Sequence, residues 1–281
     1  MSDPLMTLLD GLRFAEAPRW HNDRLWFSDF FRQEVMAVTE QGQSEVMFRL
    51  DDSPSGLGWR PDGSMLVVSM HHQQLLAWRG GVLARVADLS THAGGPCNDM
   101  VVDAQGRAYV GNFGFDLYAK EEARATCLLR VDLDGSVHRV AEDMWFPNGM
   151  AITPDGQTLM VAETFRNRLT AFTIAPDGSL KNRRVFAELQ GVFPDGLCLD
   201  AEGAVWVADA RGHAVLRVVK GLGVVERVST GEHQSYACML GGADGHTLFI
   251  CTAPGVGPKA GELQQGRIEF TTVKVPRAAQ S

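Results

Sequence analysis

One arrangement of apolar and polar positions recurs six times along the chain. A polar or small residue opens each unit, an apolar run follows, a tight turn interrupts it, and a second apolar run completes it. The units are EAPRWHNDRLWFSDF from Glu16, SGLGWRPDGSMLVVSM from Ser55, NDMVVDAQGRAYVGNF from Asn98, NGMAITPDGQTLMVAET from Asn148, DGLCLDAEGAVWVADA from Asp195 and ACMLGGADGHTLFICTA from Ala237. The first of these fits more loosely than the rest. The turn starts six residues after each opening, at Asn22, Pro61, Ala104, Pro154, Ala201 and Ala243. The openings at 16, 55, 98, 148, 195 and 237 stand 39 to 50 residues apart. That interval is the length of one four-stranded propeller blade.

The apolar runs are rich in β-branched and aromatic residues, and the D-G type turns supply a glycine for positive φ. The pattern predicts an all-β, six-bladed β-propeller with four-stranded blades, as a single domain over residues 1–281. No segment sustains a 3.6-residue apolar period, except briefly residues 118–126, so helix should be nearly absent. A short strand near residues 5–9 is expected on the outer edge of the last blade. There it would join the two chain ends and cover an open sheet edge. The third unit is the longest, and its extra residues, around 112–127, are long enough to cover a site.

Composition narrows the function. The 281 residues are 45% hydrophobic and 21% charged, enough apolar material for a core. The net charge of −8 repels phosphate backbones and argues against nucleic acid as a partner. No apolar run approaches the length of a membrane span, and the N-terminal stretch lacks the pattern of a secretory signal. The expectation is a cytoplasmic protein with no membrane partner. Cys97, Cys127, Cys198, Cys238 and Cys251 are odd in number and form no C-x-x-C pair, so they read as buried thiols.

The repeat register carries the chemistry. Each opening residue begins the innermost strand of its blade, so the six should converge on the axis from one end. They are Glu16, Ser55, Asn98, Asn148, Asp195 and Ala237. Any one Asn, Asp or Glu taken alone reads as a turn residue. Four in one register do not, because buried carboxylates and amides converging on one point need a partner. A divalent cation held by Glu16, Asn98, Asn148 and Asp195 provides it. Four hard oxygens favour Ca²⁺, with Zn²⁺, Mn²⁺ and Mg²⁺ as alternatives. Asp99 should point the opposite way along its strand, into the channel.

These same residues resemble the SMP-30/gluconolactonase/LRE (regucalcin-like) family of metal-dependent lactonases. The matching pieces are FAEAPRW, CNDMVVDAQG, FPNGMAITPDG, PDGLCLDAEGAVWVAD and YACMLGGADGHTLFICTA, spread over essentially the whole chain. The resemblance implies a six-bladed propeller with one metal ligated at Glu16, Asn148 and Asp195. It also implies that Asn98 contacts metal or substrate, and that Asp195 doubles as general base. Sugar lactonases of this family carry an arginine two residues before the position of Asn98. Pro96 stands there in this chain, which points away from a polar sugar lactone and toward a less polar lactone or ester.

The expected reaction is hydrolysis of a lactone to a hydroxy acid, with the carbonyl polarised by metal and a water activated by Asp195. Phe113, Phe115 and Tyr118 are expected to add aromatic surface to the substrate site; His71, with His72, reads either as facing the channel mouth or as a solvated loop pair. Two other readings use the same site: a phosphotriesterase-like hydrolase and a non-enzymatic calcium-binding propeller. No G-x-S-x-G elbow, P-loop or dinucleotide fingerprint competes. The segment GVGPKAG at 255–261 reads as loop. Glu163 reads as an ion-pair partner for Arg166 or Arg168. The tryptophans at 20, 26, 59, 145 and 206 read as packing between blades.

Overall fold

The computed structural model describes residues 4–279. They form six four-stranded antiparallel sheets. In the first five, the strands follow chain order, as in blade four: Pro147–Ile152, Thr158–Glu163, Arg168–Ile174 and Leu180–Glu188. The first strand of every blade packs against the first strands of both neighbours, so the six strands close a ring around the axis. The sixth blade contributes Gln234–Gly241, Thr247–Ala253 and Gly266–Thr272. Its outermost strand is Met6–Leu12, from the other end of the chain. The closing strand is therefore present, slightly later than the sequence suggests.

Burial follows position in the blade. The second strand of blade two, Met65–Ser69, is buried throughout, whereas its outermost strand, Val82–Asp88, is mostly exposed. Inner strands are apolar on both faces because each blade lies between two others. The core is accordingly a set of layers between adjacent blades. Trp20 stacks on Phe249 at 5.4 Å between blades one and six, and Trp26 meets Trp59 edge-on at 5.4 Å between blades one and two. Trp206 is buried between blades five and six. Trp145 departs from the expectation: it lies under the Arg166 guanidinium at 4.4 Å, outside these layers.

The loose fit of the first unit has a local cause. Its strands join through a two-residue turn, Asn22-Asp23, with both residues left-handed (φ 49° and 58°) and His21 paired with Arg24. Asn and Asp tolerate that conformation and do the work that glycine does elsewhere.

Residues 118–126 contain no helix. Asp116 accepts the Tyr118 and Ala119 N–H groups at 2.9 Å, and Lys120 is left-handed, so the chain turns instead of winding on. The α-helix among the described residues is the five-residue Pro258–Glu262, which overlaps the segment 255–261 that reads as loop. Proline at its first position is compatible with a helix start. No described helix is long and apolar enough to cross a membrane. All five cysteines are buried and free. Cys238 pairs with Ile250 and Cys251 with Ala237, which sends the two thiols to opposite faces of their sheet. Glu163 is fully buried and pairs with Arg168 at 2.8 Å and Arg183 at 3.1 Å, while Arg166 takes the tryptophan instead.

Candidate functional site

Glu16, Ser55, Asn98, Asn148 and Asp195 are each the second residue of an inner strand. Ala237 is the fourth of its own. In every blade the pairing of the inner hairpin slips beside this position, for example between Pro147 and Met150 and between Pro194 and Leu197. Such a bulge bends the strand and re-aims the side chain next to it. Glu16, Asn98, Asn148 and Asp195 thereby line one cavity.

Glycine follows the ring position in blades two, four and five, because the inner strands meet backbone to backbone. A Cβ on Gly149 would lie 2.5 Å from the Asp195 carbonyl oxygen and 2.6 Å from the Leu197 nitrogen. One on Gly196 would collide with the Ala237 side chain. Blade three carries Asp99 in this place. Its carboxylate accepts from Arg19 Nη2 at 2.6 Å. Arg19 also donates to the carbonyls of Pro18 and Met100.

The ring is electrostatically unbalanced. Burial holds the Glu16 carboxyl well above the usual carboxylate range, and the Asp195 charge pushes it further. Asp195 is raised by burial and then by the charges of Asp99 and Asp209, against the Gly196 N–H and the Asn148 amide. Its Oδ1 is buried with no hydrogen-bond partner. Both amide nitrogens of the ring face protein. Asn98 Nδ2 donates to the Pro147 carbonyl at 3.5 Å, and Asn148 Nδ2 to Thr164 Oγ1 at 3.3 Å. Thr164 in turn donates to the Pro194 carbonyl at 2.8 Å. Two amide oxygens and two carboxylates are left for the axis. Among the described residues no three His, Cys, Asp or Glu side chains converge as a metal cluster, so a cation here depends on the amides as well. That donor set fits a hard divalent ion, which would neutralise both carboxylates and occupy the unpartnered oxygen.

The cavity measures about 110 Å³. Its wall repeats the blade register. Phe14, Phe146 and Phe193 stand two residues before Glu16, Asn148 and Asp195. Phe30, Phe113 and Thr164 stand just past the ends of second strands. In blades one, four and five the acidic residue ending the second strand holds the segment that leads into the inner strand. Asp29 accepts the Phe14 N–H, Glu163 the Trp145 N–H and Asp209 the Phe193 N–H, all near 3.0 Å. Leu117 and Tyr118, from the long loop of blade three, and Val256, beside the short helix, also line the cavity. Pro96 offers no donor; its carbonyl accepts the Phe113 N–H at 2.8 Å and holds that loop in place.

Of the residues expected at the substrate, Asn98, Phe113 and Tyr118 line the cavity. Phe115 is buried behind the wall, packed on Phe146 at 5.7 Å and Phe165 at 5.5 Å. His71 is exposed and away from the cavity, and its backbone N–H is held by Asp52. Sequence reasoning missed Thr164, Arg211, Tyr236 and the three phenylalanines two residues ahead of the ring. The phenylalanines were detectable, since F-A-E, F-P-N and F-P-D share one register.

The model of the SMP-30/gluconolactonase/LRE-like region matches residues 14–254. The chain is 27% identical over 276 residues to a 6-deoxy-6-sulfogluconolactonase of Pseudomonas putida, covering 95% of this chain and 93% of that one. It is 26% identical over 260 residues to a pentonolactonase of Haloferax volcanii, covering 89% and 85%. Its fold superposes on that of luciferin-regenerating enzyme with a TM-score of 0.85 at 17% identity, covering 99% and 98%; that likeness is one of fold alone. The match takes in the ring, the phenylalanine row and all six inner strands, and the chain belongs to the SMP-30/gluconolactonase/LRE-like family.

Proposed function

We propose that this protein hydrolyses a small monocyclic lactone to its hydroxy acid, with a divalent cation held by Glu16, Asn98, Asn148 and Asp195. The observation that carries this reading is the buried, unpartnered Asp195 Oδ1 beside the Glu16 carboxylate, at the foot of a small apolar cavity. The names of two relatives, a sulfogluconolactonase and a pentonolactonase, support the reaction class. A cavity of about 110 Å³ lies below the ~300 Å³ lower end of ordinary ligand sites and suits a single ring.

When bound, the cation supplies Lewis-acid polarisation of the lactone carbonyl. Asp195 takes the proton from the attacking water and passes it to the departing ring oxygen. Asn98 and Asn148, anchored through their amide nitrogens, orient the acyl group. The Tyr118 hydroxyl is pushed up to about 12 by burial and by the charges of Glu16 and Asp195, so it stays protonated and donates to a substrate oxygen. The phenylalanine wall holds the apolar edge of the ring and excludes bulk water.

The test is pH-stat hydrolysis of a panel of γ- and δ-lactones by chelated protein and by protein reloaded with Ca²⁺, Mn²⁺, Mg²⁺ or Zn²⁺, with Asn148→Ala as control. Turnover should return with metal and be lost in the variant. Stabilisation by metal with no turnover on any lactone would instead support a structural cation in a non-enzymatic propeller.

A further inference from the structure

We infer that the substrate carries a carboxylate, held by Arg211 at the mouth of the cavity; this rests on the lactonase reading and names its substrate class. Arg211 is the one Lys, Arg or His among the described residues lining the cavity. Its guanidinium lies 4.1 Å over the Phe193 ring and 5.9 Å over Phe165, and it makes no ion pair among the described residues. The nearby acid is already engaged. Asp209 Oδ1 accepts the backbone N–H groups of Phe193 at 3.0 Å and Arg211 at 3.3 Å. That one carboxylate fixes the backbone of both partners of the stack, and the exposed guanidinium, laid over Phe193 at the cavity rim, makes no ion pair among the described residues that would occupy its donors.

A divalent ion at the ring would cancel Glu16 and Asp195, and Arg211 is then the one cationic side chain among the described residues lining the cavity. The wall also lacks the free donors that a polyhydroxylated ring would need. Thr164 donates to Pro194, the Tyr236 hydroxyl to Gln234, and both ring amides to the protein. The Tyr118 hydroxyl and the Arg211 guanidinium remain. A lactone ring presenting apolar edges to phenylalanine and one carboxylate to a planar, fork-shaped cation matches this inventory.

The experiment compares 5-oxotetrahydrofuran-2-carboxylate with its neutral carboxamide, on Ca²⁺-loaded wild type, Arg211→Met and Arg211→Lys. The carboxylate should be preferred in kcat/KM by roughly 10–100-fold in the wild type, as expected for a charge-assisted hydrogen bond. The preference should lie mainly in KM, collapse toward unity in Arg211→Met, and survive in part in Arg211→Lys. Equal use of the two lactones by the wild type, or an undiminished preference in Arg211→Met, overturns the inference. Failure of both lactones to open counts against the lactonase reading itself. Calorimetric titration of glutarate into the Ca²⁺-loaded proteins then decides the charge question separately. Tenfold or greater weakening in Arg211→Met sustains it. Equal affinities, or no binding to wild type, sink it.

Discussion

Asp195 is the residue on which the site turns. A buried carboxylate beside a second one, with an oxygen that no protein group reaches, is destabilising unless a cation joins it. Both Asp195 and Glu16 have raised proton affinity in the fold. Their contribution to stability is present below the unfolded carboxylate range near ~4 and is lost as pH rises through the higher folded values. Chelated protein should therefore be less stable at pH 7 than near pH 5. Asp195→Asn should raise its Tm at pH 7 by a few degrees, since ~1 kcal/mol is worth ~2–4 °C at this size. In excess Ca²⁺ the order should reverse. Scanning calorimetry with and without chelator checks this, and a lower Tm for the variant in chelator would show that protein groups alone satisfy Asp195. Asn148→Ala should weaken Ca²⁺ binding by roughly tenfold or more, read by titration calorimetry.

At the scale of the element, the inner strand does two jobs at once. It must bring a side chain to the axis and let its neighbour's backbone approach. The bulge serves the first and the glycine after the ring residue serves the second. Gly149→Ala should cost roughly 1–3 kcal/mol or more, because the added methyl meets backbone atoms that cannot swing away. Gly63→Ala, at an exposed turn with open space around it, meets no such contact and costs only the strain of its left-handed φ of 81°. Denaturant unfolding of the two variants should separate them, and Gly149→Ala alone should also weaken Ca²⁺ binding. A smaller loss at position 149 than at 63 would mean that the ring can expand. Three second strands contribute through their last residues: Asp29, Glu163 and Asp209 each pin the segment leading into an inner strand, which sets the phenylalanine row that lines the cavity.

For the whole molecule, closure is the central fact. Met6–Leu12 completes the sixth blade along Gly266–Thr272, and Leu12 is buried with Trp20 and Ile268. Removing residues 1–12 leaves that strand as an open edge and unseats part of the layer between blades six and one. The truncated chain should unfold at least ~5 °C lower and aggregate in a concentration-dependent way, measured by calorimetry and light scattering. Retention of the full-length Tm would show that the ring holds without its clasp. Closure also fixes the axis, and the four ring residues share a cavity only because six blades return to one centre.

The repeat, the fold class and the identity of the ring were legible in the amino-acid sequence, because each blade is built by local rules. Apolar alternation, a turn six residues on and a polar opening residue are all short-range features, and six copies in register imply a common axis. The rest depended on contacts between distant segments. Arg211 gains its meaning from stacking on Phe193, eighteen residues earlier in the chain, through an aspartate that holds both. Phe115 went behind the wall and His71 out to solvent because loop packing, which has no periodicity, decides such placements. Residues 118–126 turned because Asp116 captured two backbone N–H groups, a local competition that an apolar count does not see. Local periodicity specifies which residues face the axis; only the closed ring decides which side chains from other blades they meet there.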